Sequence, residues 1–391
     1  MYVHIGIPNN ILFAVYSLPA NFQNLLTHAY SRRIIGEQIA NIGTQGRTQT
    51  LLDSPMSSLP LLPEYHSNQR LVGIARLAAA GELLREGHNV EYFTLESRSL
   101  LSRVVTRREL PFAWAINPYR GCEFACKYCY ARYTHEFMEL RNGVDFERKI
   151  FVKQHAADLL RRELRKVKPG EAIAIGTATD PYQPAERRYE VTRAILEELA
   201  RHSGLELGIV SKSNLMLRDV ELLRRVAARN SLFVNMTVTT VDPELARKLE
   251  PRAPRPDLRL DAVRQLNLAG VDAGIICAPV LPEITDHVSD LEALVKAARA
   301  AGAKYVYANP LFLKPSSLAV FLPFLEEHFP SLVELYGERY RDHAFLPKGY
   351  GERLSRLMTA LRRKYGFETR HARASMRAHP SRPAEQMSLF G

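Results

Sequence analysis

The chain has 391 residues, of which 46% are hydrophobic and 24% charged, with a formal net charge of +11. That balance belongs to a globular protein with room for one large domain or two smaller ones, and excludes a disordered or collagen-like chain. Four cysteines, three of them between positions 122 and 129, exclude a disulfide framework and suit a metal or redox site in a reducing compartment.

In chain order, residues 1–66 read as a poorly structured extension. "NIGTQGRTQT" (41–50) has no sustained periodicity, and Met56 opens a second plausible start. The apolar run "ILFAVYSLPA" (11–20) is too short to span a bilayer and has no basic segment before it. A cytoplasmic protein with no membrane attachment is expected. Residues 67–110 read as an extension packed on the core, helix-like over about 70–92 with a short strand at its end.

Residues 111–330 have a clear rhythm. Strands are expected at "FAWAIN" (112–117), "AIAIGTATD" (172–180), "LELGIVSKS" (205–213), "SLFVNMTVTT" (231–240), "VDAGIICAPV" (271–280) and "KYVYANP" (304–310). Amphipathic helices are expected over 190–204, 217–230, 259–270 and 286–302. Strands alternating with helices at this spacing predict an α/β fold: a partial (β/α)6 barrel of the TIM type with parallel strands. Each strand ends in polar residues: Thr177, Thr179 and Asp180; Ser211, Lys212 and Ser213; Thr237, Thr239 and Thr240; Asn309. In a parallel α/β barrel these ends share one rim, where sites are built. Asp180 precedes Pro181 and could equally begin a turn.

The loop "GCEFACKYCYAR" (121–132) follows the first strand and would lie on that rim. Its cysteines, Cys122, Cys126 and Cys129, are spaced C-x3-C-x2-C. A structural zinc takes four protein ligands, usually as two close pairs, and no second pair exists here. His135 could serve as a fourth ligand, though its spacing does not require it. Cys277 lies in an apolar strand and reads as packing. A four-iron cluster held by three thiolates would keep one iron open, which is a catalytic design.

With Tyr128 before the last cysteine, the motif resembles that of the radical S-adenosylmethionine (radical SAM) superfamily. "NPYRGCEFACKYCYAR" taken with "GTATDPYQPAE", "SKSNLMLRD" and "TVTTVDPELARKLEPRAPRP" resembles its spore photoproduct lyase-like branch, over roughly residues 95–330. The resemblance implies a [4Fe-4S] cluster on Cys122, Cys126 and Cys129. The open iron would chelate S-adenosyl-L-methionine, which is cleaved reductively to a 5′-deoxyadenosyl radical with electrons from a reductase or flavodoxin-type donor. It implies Tyr128 beside the adenine, with Thr177, Thr179 and Asp180 near the methionine amino group. Lys212 would meet the carboxylate, Thr237 or Thr239 the carboxylate or ribose, and Arg252 is a further candidate for such contacts. Tyr130 matches a tyrosine that takes part in hydrogen transfer in photoproduct lyases. Those enzymes carry a hydrogen-donor cysteine after the second strand, and "GTATDPYQPAE" has none.

The C-terminal part is basic. Between Gly337 and Arg382 there are twelve Lys/Arg against four Asp/Glu, a local +8. Residues 331–370 are expected as basic helices, with Leu354, Leu357, Met358, Leu361 and Tyr365 on one face of 350–367. Such asymmetry points to nucleic acid as partner, and the resemblance to the spore photoproduct lyase-like branch implies DNA repair or modification as the work. Residues 371–391 read as a disordered tail. Its Gln386-Met387-Ser388-Leu389-Phe390 resembles the peptide with which bacterial replication and repair proteins dock on the DNA sliding clamp. The competing readings are a non-catalytic, metal-stapled nucleic-acid-associated module, and a radical enzyme with a small-molecule or peptide substrate.

Overall fold

The computed structural model describes residues 71–367 apart from 88 and 106–109. The expectations for residues 1–66 and for the tail, Gln386–Phe390 included, lie outside the described residues. In chain order the strands are β1 (Leu83–Gly87), β2 (Val90–Leu95), β3 (Leu101–Arg103), β4 (Trp114–Ile116), β5 (Tyr119–Arg120), β6 (Lys149–Lys153), β7 (Ala172–Ile175), β8 (Glu206–Ser211), β9 (Ser231–Thr237), β10 (Ala273–Val280) and β11 (Val306–Pro310).

The larger sheet runs β11-β10-β9-β8-β7-β4-β3. Six of its strands, β4 and β7 to β11, are mutually parallel, and β3 adds antiparallel to β4. These are the six expected units. The sheet is open, with β11 and β3 at its two edges. Its strands read as apolar because helices cover them: Ile173, Ile175, Ile209, Val234 and Ile275 are fully buried. The helix Val191–Leu199 buries Val191, Ile195, Leu196 and Leu199, a stripe at helical spacing. Asp242 starts the helix Pro243–Leu249 by accepting hydrogen bonds from the backbone N–H groups of Glu244 (2.8 Å) and Leu245 (3.2 Å).

A smaller sheet runs β1-β2-β6-β5. Here the structure corrects the helix-like reading of 70–92. A helix spans only Gly73–Ala79, and β1 and β2 form a hairpin turned at Asn89, whose φ is 65°. Pairing of β2 with β6 overrides the local helical spacing. The small sheet thus takes strands from both sides of position 110, and β5 leads directly into the cysteine loop.

The C-terminal helix Lys348–Lys364 docks as expected. Leu354, Met358 and Leu361 are buried, Leu357 and Tyr365 pack beside them, and Arg353, Arg356, Arg363 and Lys364 stay exposed. Tyr350 and Tyr365 donate hydrogen bonds to Asp286 and Glu292, each at 2.8 Å, tying the helix to the helix Val288–Ala300 and the turn before it. Among the described residues no helix is long and apolar enough to cross a membrane.

Candidate active site

The cysteine loop begins at Gly121, whose φ is 84°. A side chain there would come within 2.7 Å of the Lys149 carbonyl and 2.8 Å of the Phe146 carbonyl, so only glycine fits. The Gly121 carbonyl accepts from Thr179 Oγ1 (2.6 Å) and Gln183 Nε2 (3.2 Å), and Gln183 Oε1 accepts from the Glu123 N–H (3.0 Å). The Glu123 carboxylate takes the Tyr92 hydroxyl (2.8 Å) and the Ala185 N–H (2.7 Å). Arg132 is buried, donating to the Cys126 carbonyl (2.9 Å) and Glu147 (2.6 Å). Ala125, between the first two cysteines, holds a φ of 56°, a left-handed conformation that these anchors impose on a non-glycine residue.

The three thiols share one space. Burial raises the Cys122 thiol pKa well above the usual range, and the charges of Asp180, Cys126 and Cys129 add to it. Burial also pushes Cys126 up to about 12, with the Lys212 ammonium opposing. Cys129 is the least covered of the three. Buried thiols that repel one another's ionisation suit a cationic metal core, which supplies the missing positive charge. A [4Fe-4S] cluster takes one thiolate per iron, and this donor set fits it. His135 is engaged elsewhere. Its Nε2 lies 3.0 Å from the Lys149 carbonyl, its ring packs on Phe146 and Phe151, and burial lowers its pKa to about 4.

Beside the thiols lies a buried charged centre that the sequence did not reveal. Glu250 is 2% exposed; its Oε1 accepts from Tyr128 Oη and from Thr239 Oγ1 (2.9 Å). Its Oε2 pairs with Arg259 at 2.5 Å, and Arg259 also donates to the carbonyls of Pro254 (2.7 Å) and Thr237 (3.1 Å). Burial alone would raise the Glu250 pKa, but Arg259 and Lys212 outweigh it and hold the carboxyl below its usual range. Lys212 sits 5.7 Å above the Tyr128 ring. Burial would strip its proton; the charges of Cys126 and Glu250 keep it, and its pKa is raised. Among the described residues no carboxylate lies within ion-pair distance of Lys212. A desolvated ammonium without a direct counter-ion next to three thiols is a place for an anionic group.

The remaining candidates are placed as follows. Asp180 accepts from the N–H groups of Tyr182 (2.9 Å) and Lys212 (2.7 Å) and from Ser211 Oγ (2.7 Å). It is thus both a turn residue and a tie between the ends of β7 and β8. Thr177 is half-buried, accepting from Asn117 Nδ2 at 3.3 Å, and its carbonyl accepts from Tyr130 Oη. Thr237 is buried at the end of β9. Arg252 reaches the carbonyls of Glu147 (3.4 Å) and Glu123 (3.5 Å) and lines a cleft of about 400 Å³ with Arg85, Tyr92 and Glu123, so its contacts are with the loop's backbone rather than with Lys212. Cys277 is fully buried, its Sγ 3.7 Å from the Thr239 carbonyl.

An open parallel α/β sheet with a three-cysteine loop after its first parallel strand, and polar strand ends converging on that loop, defines an iron–sulfur enzyme that works from one rim. Residues 116–298 match the family model described as the radical SAM superfamily. An uncharacterized protein of Mycobacterium tuberculosis (strain H37Rv) is 35% identical over 320 residues, covering 82% of this chain and 93% of that one. One from Methanocaldococcus jannaschii is 28% identical over 226 residues, covering 58% and 80%. Among solved structures, a spore photoproduct lyase mutant superposes with a TM-score of 0.55 at 15% identity, covering 70% of this chain and 79% of that one. Another, with bound S-adenosylmethionine and a dinucleoside spore photoproduct, gives 0.54 at 14% identity over the same shares. The chain belongs to the radical SAM superfamily, and its fold is that of spore photoproduct lyase. Membership makes it a radical enzyme with a [4Fe-4S] cluster and S-adenosylmethionine as cofactors, and sets aside the metal-stapled binding module.

Proposed function

We propose that this enzyme directs its radical chemistry at nucleic acid, as a repair or modification enzyme. The observation that carries the reading is the docked helix Lys348–Lys364, which spends its apolar stripe on the core and leaves Arg353, Arg356 and Arg363 exposed in a region of local charge +8. The fold shared with an enzyme solved with a dinucleoside photoproduct supports it.

A bound, reduced cluster would supply the one electron that splits S-adenosylmethionine into methionine and a 5′-deoxyadenosyl radical. The chain's residues have separate tasks. Cys122, Cys126 and Cys129 hold the cluster. Lys212 takes the methionine carboxylate, because its ammonium acts on the Cys126 thiol and has no carboxylate of its own at ion-pair distance among the described residues. Glu250 and Arg259 fix the Tyr128 hydroxyl, so the ring stays in place as a wall for the cofactor. Thr177, Thr179, Asp180, Thr237 and Thr239 shape the strand-end rim, Thr179 and Asp180 chiefly by positioning the loop and β8. Tyr130 is the residue proposed to pass a hydrogen. Residues 176–186 carry no cysteine, so a thiol donor in that segment is not part of the proposal.

The test is binding of duplex and single-stranded oligonucleotides by the anaerobically reconstituted, cluster-loaded protein over a salt series. Affinity should fall steeply as salt rises. Absent or salt-insensitive binding would favour a small-molecule or peptide substrate. In the same preparation, Lys212→Ala should keep its cluster absorbance and weaken S-adenosylmethionine binding by roughly 10- to 100-fold. Unchanged binding would remove Lys212 from the site.

A further inference from the structure

A row of aromatic rings leaves the rim beside Cys129. Tyr130 and Tyr133 lie three residues apart on the 3-10 helix Tyr130–Thr134, and in that helix such residues are aligned on one side. Phe312, just past β11, sets its ring 4.6 Å from that of Tyr130, and Phe345 stacks on Phe312 at 5.0 Å with the planes 23° apart. In the other direction Phe137 meets Tyr133 edge-on at 5.8 Å. The outer rings are not put away in the core: Phe137 is 58% exposed and Phe345 38%.

Cations are interleaved with the rings. Lys314 Nζ lies 3.3 Å above the centre of the Tyr133 ring, and Arg341 and Lys348 are exposed on either side of Phe345 in the chain. The row is anchored to the cysteine loop, because Ser317, three residues past Lys314, donates to the Cys129 carbonyl at 2.8 Å. A purely apolar partner would gain nothing from an ammonium parked on a ring. A strand of nucleotides uses both features, since each base has a flat face to stack and each phosphate a charge to neutralise.

We propose that the exposed rings at the two ends of this row, Phe137 and Phe345, with Lys314 between them, form a stacking platform for unstacked bases of single-stranded nucleic acid entering the rim. The inference rests on the nucleic-acid reading above and narrows it: the substrate region is engaged as separated bases rather than as intact duplex. Tyr130 would then stand where the strand meets the catalytic chamber.

The probe is a fluorescent oligothymidylate of about 15 nucleotides, beside a duplex of the same length. With the cluster-loaded enzyme the single strand is expected to bind more tightly. Phe137→Leu, which keeps apolar area but removes the ring, should raise its Kd about tenfold. Lys314→Gln should reduce the slope of log affinity against log salt by about one. Neither variant should change thermal stability or cofactor cleavage without oligonucleotide, which separates loss of the platform from loss of fold. If the wild type binds the single strand and both variants match it in affinity and salt slope, the platform is wrong while the nucleic-acid reading stands. Equal binding of duplex and single strand also overturns the platform. If the wild type binds neither probe, both proposals fall.

Discussion

Cys126→Ala should leave the anaerobically reconstituted protein without its iron–sulfur absorbance and without any cleavage of S-adenosylmethionine. The effect is complete rather than graded because the cysteine loop offers three thiols for four irons, with one iron reserved for the cofactor. Two thiolates leave two irons unheld. The loop itself should survive, since it is held by its backbone: Thr179 and Gln183 on Gly121, Arg132 on the Cys126 carbonyl, and the Lys127 N–H on the Leu249 carbonyl at 2.9 Å. Circular dichroism should therefore be unchanged. The control is Cys277→Ala. Cys277 lies in register with Ala308 of β11, packed in the main apolar core with its sulfur turned to the Thr239 carbonyl. Its loss should cost about 1–2 kcal/mol of stability and leave colour and cleavage intact. A colourless Cys277→Ala protein would overturn the ligand assignment.

The six parallel strands were legible because each is a short apolar run punctuated by polar residues; that signal is local and repeats. The cysteine loop was legible because its spacing is local too. The charged centre was not, because its parts meet only through the fold. Glu250 follows the helix Pro243–Leu249, its partner Arg259 lies on the next helix, Tyr128 comes from the cysteine loop and Lys212 from the end of β8. One trace of it was present. Arg259 falls on the same helical stripe as Ala262, Val263 and Leu266, all buried, and an arginine in a buried stripe demands a buried acid. Thr179 and Asp180 show the converse. Their position at a strand end was readable, but their hydrogen bonds turn them toward the loop and β8, which residue type alone does not specify. The hairpin β1–β2 was missed because its strand character comes from pairing with β6, some sixty residues on.

Lys153→Met should raise thermal stability, and most strongly below pH 7. Lys153 ends β6, is 8% exposed, and among the described residues makes no hydrogen bond or ion pair through its ammonium. Burial, with the neighbouring Arg120 adding to it, lowers its pKa to about 7; only Glu163 opposes, and that carboxylate already accepts the N–H groups of Leu100 (2.9 Å) and Leu101 (2.8 Å). The direction follows from proton counting. Between about pH 7 and the ordinary lysine value the unfolded chain holds a proton on Lys153 that the folded chain lacks, so stability rises with pH across that window. Below pH 7 both states hold the proton, and the folded state carries the whole cost of a buried charge, on the order of 4 kcal/mol. Methionine fills a similar volume without that charge. The wild type should therefore gain stability from pH 7 to pH 10 relative to the variant, and the two melting curves should converge at the alkaline end. The cost falls on the strand pair β5–β6, where Arg120 is followed directly by Gly121 and Cys122, so the relief should appear first in hydrogen exchange of the segment that leads into the cysteine loop. A Lys153→Met protein that melts at or below the wild-type temperature at pH 6 would show that the ammonium has a counter-charge in the folded protein.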